Sequence, residues 1–324
     1  MNEELGARPL FLAPAFKDYL WGGQRLRREY GKQTDMNPLA ESWELSCHGA
    51  GLSVIENGAH AGWTLRDYLK AYPQHLCAGA DAQTEFPLLI KLIDAEANLS
   101  VQVHPDDDYA RRVEHTNGKT EMWYVVDAKP GAGIYYGFKE TVTREQMAAA
   151  IEEKTLPSLL NWVEAKAGDV FFIPAGTVHA IGAGLLIAEV QQNSDVTYRL
   201  WDYNRVGADG KPRALHIAQA LDVSERAPRA ATQPYAPDEA LDGCRIRHLV
   251  KNARFTVDVL DLDGALDAFV GEESFVSLLC LDGAGAILHG GERMAIRKGQ
   301  SIFLPAGMGE YRIEGKMALL KTTL

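Results

Sequence analysis

Cysteine is scarce in this chain: four among 324 residues, far apart and without a Cys-x-x-Cys pair. That spacing argues against a disulfide framework and against a thiolate metal cluster. It predicts reduced, mostly buried thiols in a cytoplasmic protein. Long apolar runs are missing too, and none reaches the roughly 18–20 residues of a membrane span. Positive charge is in deficit, with 33 Lys and Arg against 44 Asp and Glu, a formal net charge of −11. Phosphate backbones select clustered cations, so nucleic acid is not an expected partner. An anionic small molecule would need its cations gathered locally in a pocket. The first twenty residues carry Glu3, Glu4, Arg8 and Asp18, a pattern unlike a signal peptide.

What is present is an ordinary globular composition, 46% hydrophobic and 24% charged, with 30 glycines. The length allows two domains. Helices are expected at Thr64–Tyr72, capped by Thr64 and stopped by Pro73, at Asp106–Glu114, and at Thr143–Glu153. In the last, Thr143 and Gln146 stand as a capping box. Phe86–Asp94 (FPLLIKLID) reads as a strand buried on both faces, and Ser100–His104 and Glu121–Asp127 as further strands. After Gly168 come short strands: DVFFI, HAIG, LLIAEVQQ and VTYRLWDY. Ser224–Glu239 holds three prolines and little apolar pattern, which places a linker there. From Arg245 onward the pattern predicts short strands with glycine turns and no helix. The expected fold is mainly β, a sandwich or barrel, with one domain over 1–228 and a second over 229–324.

A frame repeats. Gly168 to His179 reads GDVFFIPAGTVH, and 131 residues later GQSIFLPAGMGE brings back Gly299, Pro305 and Gly307, with Glu310 where the first copy has His179. Upstream, WYVVDAKPGAG from Trp123 resembles FVSLLCLDGAG from Phe275 at an offset of 152, which matches Glu121 to Glu273. The first copy therefore holds a 21-residue insertion, largely the Thr143–Glu153 helix. Only the first copy keeps an imidazole at its end.

Side chains two apart on a strand share a face. Gln102 and His104 do so in SVQVH, Lys119 and Glu121 in KTE, and Asp195, Thr197 and Arg199 in DVTYR. His104, Glu121 and His179, with the amide oxygen of Gln102, make a mixed N/O set suited to Zn²⁺, Fe²⁺, Mn²⁺ or Ni²⁺. Lys91 interrupts the apolar run LLIKLID, where a cation needs a partner: an anionic ligand, or a carboxylate such as Asp94. Lys119 and Arg199 flank the proposed ligands, and Arg199 offers a planar fork for phosphate or enediolate. The two imidazoles and one carboxylate also fit the facial triad of non-haem Fe(II) oxygenases, and a non-catalytic sugar-binding protein is a further alternative.

GDVFFIPAGTVHAI resembles the second characteristic motif of cupins. Together, QVHPDDDYA, GKTEMWYVV and QQNSDVTYRLWDYNR look like the short bacterial form of type I mannose-6-phosphate isomerases, over about Phe16 to Asp222. The resemblance implies a double-stranded β-helix (jelly-roll) bicupin with a few inserted helices, and a degenerate C-terminal cupin without a metal site. It implies one Zn²⁺ per chain on Gln102, His104, Glu121 and His179, a catalytic Arg199, substrate-binding Lys91, Lys119 and Arg199, and an acidic neighbour at Asp195. The implied reaction interconverts mannose 6-phosphate and fructose 6-phosphate through a cis-enediolate. Lys119 and Asp195 are the candidate bases. Longer members carry a His before the lysine of KxE, where this chain has Gly118. The expected partner is a small sugar phosphate, and the expected state a monomer or small homo-oligomer.

Overall fold

The computed structural model describes residues 7–206 and 210–324; Glu3 and Glu4 lie outside the described residues. Three sheets stack as layers. The middle sheet has seven strands, in the order Val170–Ile173, Glu121–Ala128, Leu185–Gln192, Leu88–Ala95, Glu41–His48 and Ala15–Lys17, with Gly51–Leu52 paired to Glu41–His48. One of its faces packs, through Ile93, Val125 and Ile187, on Ile134 and Ile181 of a five-stranded sheet. The other face, through Leu88, Ile90, Met122 and Val190, meets Val257, Leu279, Phe303 and Leu320 of a nine-stranded sheet. This double burial explains why Leu88–Ala95 and Leu185–Gln192 are unbroken buried strands, where a half-exposed strand would alternate.

The five-stranded sheet runs Leu160–Glu164, Gly133–Phe138, His179–Ile181, Val101–Val103 and Tyr198–Trp201. Val101, Val103, Ala180, Tyr198 and Leu200 turn outward under the helices Arg144–Glu152 and Ile217–Val223. By alternation, Gln102, His179 and Arg199 turn inward, towards the middle sheet. All three expected helices form. Thr64 caps Leu65–Ala71, Asp106 caps Asp107–Val113, and the Thr143–Gln146 capping box is complete.

The C-terminal half departs from expectation. Its strands are long: Thr256–Val270 and Gly309–Thr323 have 15 residues each, and Val276–His289 has 14. Glycines that read as turns instead face one another inside continuous strands, Gly315 opposite both Gly264 and Gly285. A Cβ on Gly315 would lie 2.5 Å from the Cα of Gly285, so the strands can touch there only as glycine. The strands of this sheet alternate between two cores. Leu279 and Leu281 face the middle sheet, while Leu278 and Cys280 face a core of the sheet's own. Strands Leu10–Ala13 and Val54–Ile55 complete this sheet from the N-terminal end of the chain. All four cysteines are free.

The repeat is visible as topology. Glu121–Ala128 lies between Val170–Ile173 and Leu185–Gln192, as Val276–His289 lies between Ser301–Leu304 and Gly309–Thr323. Gly168 and Gly299 share a left-handed backbone, at φ 90° and 85°. Between the two large sheets, the Phe303 ring stacks on Phe275 at 5.0 Å and lies 6.4 Å from Phe86. Replacing Phe303 by Ala should cost about 3–5 kcal/mol of unfolding free energy. Urea denaturation measures it, and a loss below about 1 kcal/mol would mean that this seam does not hold the layers together.

Candidate metal centre

The site occupies the gap between the five- and seven-stranded sheets. Cross-strand register puts Arg199 opposite Gln102, and Gln102 opposite His179, in one row. Glu121 enters from the middle sheet and His104 follows the strand that carries Gln102. Ligand atoms of His104, Glu121 and His179 all lie within 4.8 Å of one another, the sole such group among the described residues. The imidazole rings are 4.9 Å apart. Gln102 stands beside them, its amide nitrogen 3.4 Å from His179 Nε2, and a half-turn of the amide would present its oxygen instead.

Backbone carbonyls fix both imidazoles. His104 Nδ1–H donates to Val196 O at 2.7 Å and His179 Nδ1–H to Thr177 O at 2.8 Å. Each Nε2 therefore turns a lone pair inward, the arrangement metal-bound histidines need. Burial pushes the pKa of both rings down, that of His179 to about 3, so they stay neutral. Burial alone would raise the pKa of Glu121. The Lys119 ammonium and the imidazoles outweigh it and hold the carboxyl well below its ordinary value. Lys119 Nζ lies 2.6 Å from Glu121 Oε1, yet neither oxygen of this fully buried carboxylate receives a well-directed hydrogen bond. A buried anion without directed donors, facing two lone pairs, fits a divalent cation.

Gly118 has a structural reason. A Cβ there would sit 2.4 Å from the carbonyl carbon of Asp106, and its N–H donates to Asp107 Oδ1 at 2.9 Å. The histidine of the longer relatives has no room in this backbone.

Lys91 is compensated within the protein, but not by Asp94. Its Nζ lies 3.1 Å from Glu189 and 3.8 Å from Glu41, while Asp94 pairs with Arg25. Burial works against the Lys91 charge, but Glu41 and Glu189 outweigh it and raise the pKa. Burial and the nearby Glu121 raise that of Glu189. Trp43 and Trp123 donate indole N–H bonds to Glu41 and Glu189 at 2.7 and 2.8 Å. Arg199 has no carboxylate partner among the described residues: Nη1 donates to Ala214 O at 3.0 Å, and its buried Nε has no acceptor. Asp195 stands at the mouth, its side chain 63% exposed and 3.8 Å from His48 Nε2.

Gln102, Lys91, Lys119, Asp195 and Arg199 line a cavity of about 310 Å³, together with Lys17, Tyr19, Trp21 and Arg213, which the sequence reading left without a role. Lys17 Nζ sits over the Trp43 ring and donates to Ala50 O. Arg213 grips Asp202 through Nε and Nη2 at 2.7 and 2.6 Å, and Asp202 also takes Arg205. Asp202 ends the YRLWD segment, so a local motif holds a loop cation that no local pattern announces.

Residues 10–135 match the family described as phosphomannose isomerase type I, catalytic domain, and residues 245–324 match the mannose-6-phosphate isomerase cupin domain. Mannose-6-phosphate isomerase ManA of Bacillus subtilis is 38% identical over 95% of this chain and 96% of its own. The mannose-6-phosphate isomerase of Streptococcus mutans is 39% identical over 97% and 98%. A crystal structure of mannose 6-phosphate isomerase from Bacillus subtilis superposes with a TM-score of 0.91 at 34% identity, covering 97% of this chain and 99% of that one.

His179→Ala should weaken divalent-ion binding by more than the roughly 10–100-fold that loss of an outer-sphere partner costs. Titration of chelator-stripped protein with Zn²⁺ or Mn²⁺ measures it, and equal affinities would exclude this cluster as the ion site.

Proposed function

The chain belongs to the type I mannose-6-phosphate isomerase family, and on that footing we propose that it interconverts mannose 6-phosphate and fructose 6-phosphate. The observation that carries this reading is a buried N/O donor set lying directly behind Gln102 and Lys119, two of the residues that line a cavity carrying several cations. Neither the oxygenase nor the binding-only alternative is favoured by the family. We assign one Zn²⁺ per chain, held by Gln102, His104, Glu121 and His179. When bound, the ion would supply a Lewis acid that polarises the C2 or C1 carbonyl.

The reaction moves one proton between C1 and C2 and one between the two attached oxygens, through a cis-enediolate. Lys119 is the better placed base: it stands against Glu121 at the closed end of the cavity, whereas Asp195 stands at the mouth. A positioned base contributes roughly 10²–10⁴-fold. Lys91, flanked by Glu41 and Glu189, contributes little net charge and serves as a donor to sugar hydroxyls. The phosphate then draws on cations that are not spent on carboxylates, Arg199 and Lys17, and on Arg213, whose partner Asp202 is shared with Arg205. This refines the substrate-binding set of Lys91, Lys119 and Arg199.

Catalysis belongs to residues 1–228 in this reading, and residues 229–324 act without a metal. A cytoplasmic monomer or small homo-oligomer remains our expectation.

Incubation with mannose 6-phosphate should yield fructose 6-phosphate, with solvent deuterium entering C1 or C2 in D₂O, and a chelator should abolish turnover. Equal rates with and without a chelator would overturn the mechanism. Arg199→Ala, which removes a donor to both the phosphate and the enediolate, should raise KM and lower kcat by about 10²–10³-fold. Arg213→Ala should instead raise KM with kcat nearly kept, the signature of lost phosphate binding.

A further inference from the structure

A second cavity, about 480 Å³, exceeds the catalytic pocket in volume. It falls within the range of roughly 300–1,000 Å³ typical of small-molecule sites. Arg66 and Lys70, one turn apart on the helix Leu65–Ala71, both line it. Neither forms an ion pair with a carboxylate among the described residues. Arg66 Nε is buried without an acceptor, and Asn193 Oδ1 is buried without a donor. One cavity thus gathers two cations without a carboxylate partner, which suits a phosphate group. Two carboxylates, Asp81 and Glu85, also line the cavity, and Asp81 accepts from Gln83 N–H and the Thr84 hydroxyl.

Two segments that line the cavity run on into residues of the active site. Thr116 and Asn117 line it just before Lys119, and Asn193 just before Asp195. The two segments are tied together: Ser194 Oγ donates to Asn117 O at 2.8 Å, and Thr120 N–H to Gln192 Oε1 at 2.9 Å. His48, which also lines the cavity, reaches Asp195.

We propose that this cavity is a second site for a small phosphate monoester, held by Arg66 and Lys70, whose occupancy changes turnover through the segments carrying Lys119 and Asp195. The binding half of the proposal does not depend on the reaction assigned above. Calorimetry with inorganic phosphate and with glycerol 3-phosphate tests it. Wild type should bind two equivalents, and the R66Q/K70Q variant should lose one of them or hold it at least tenfold more weakly. Arg199→Ala should weaken the other. Tighter binding of glycerol 3-phosphate than of phosphate at the Arg66 site would mark an ester as the ligand, and the reverse order would mark free phosphate and overturn the ester. Without added phosphate, R66Q/K70Q should turn over as wild type does. With it, wild type should show a change in kcat that the variant lacks. Unchanged binding stoichiometry and affinity in R66Q/K70Q, or phosphate inhibition that is purely competitive in both proteins, would overturn the proposal.

Discussion

One fully buried carboxylate, Glu121, imposes the electrostatic order of the site. It lies in the interior of a sheet, where a bare charge is untenable. Its surroundings answer it in sequence: Lys119 against one oxygen, two neutral imidazoles around both, and Glu189 pushed towards protonation by burial and by Glu121 itself. Lys91 then stands between Glu189 and Glu41. Three carboxyl groups face two ammonium groups, so the cluster carries no excess of positive charge of its own. A divalent ion held by it would turn the pocket positive towards a phosphate. The acidic protein thus makes a local cationic site without a basic surface.

The layering makes such a cluster possible. The middle sheet is packed on one face by the nine-stranded sheet, and Lys91, Glu121 and Glu189 project into the gap on the other face with Ile93, Val125 and Ile187. There the inward residues of the five-stranded sheet meet them. Strand periodicity divides the labour: Val101, Val103, Tyr198 and Leu200 fill the core beneath the helices, and the alternate positions Gln102 and Arg199 face the chemistry. A one-residue slip of either strand would exchange the two sets, so the helix-side core also fixes the register of the site.

Much of this was legible in the sequence because it is local. QVH, KTE and the PxGxxH turn each place a ligand through a strand or a tight turn, and the caps of all three expected helices follow from residues within four positions. What could not be read is non-local. Lys91 resembled a partner for Asp94 three residues on, but a strand turns positions 91 and 94 to opposite faces, and the true partners arrive by pairing with Leu185–Gln192 and from Glu41–His48. Arg213 reaches the pocket through a loop anchored on Asp202. Gly264, Gly285 and Gly315 read as turns because sequence does not show that they oppose one another.

The second copy shows how one scaffold can carry a buried donor cluster in one half and an apolar interior in the other. Its frame is intact, down to the left-handed glycines Gly299 and Gly307. Yet Glu310, at the position of His179, is exposed and pairs in register with the exposed Phe269, and Glu273, at the position of Glu121, is exposed as well. The interior that would hold an ion is filled by Leu278, Cys280, Ile302 and Ile313. An apolar interior needs no counter-charge, so this half can lengthen its strands and press its other face, through Leu279, Leu281 and Phe303, on the middle sheet. The two copies have divided one architecture: one keeps a polar gap at a cost in stability, and the other supplies the apolar contact that helps offset it.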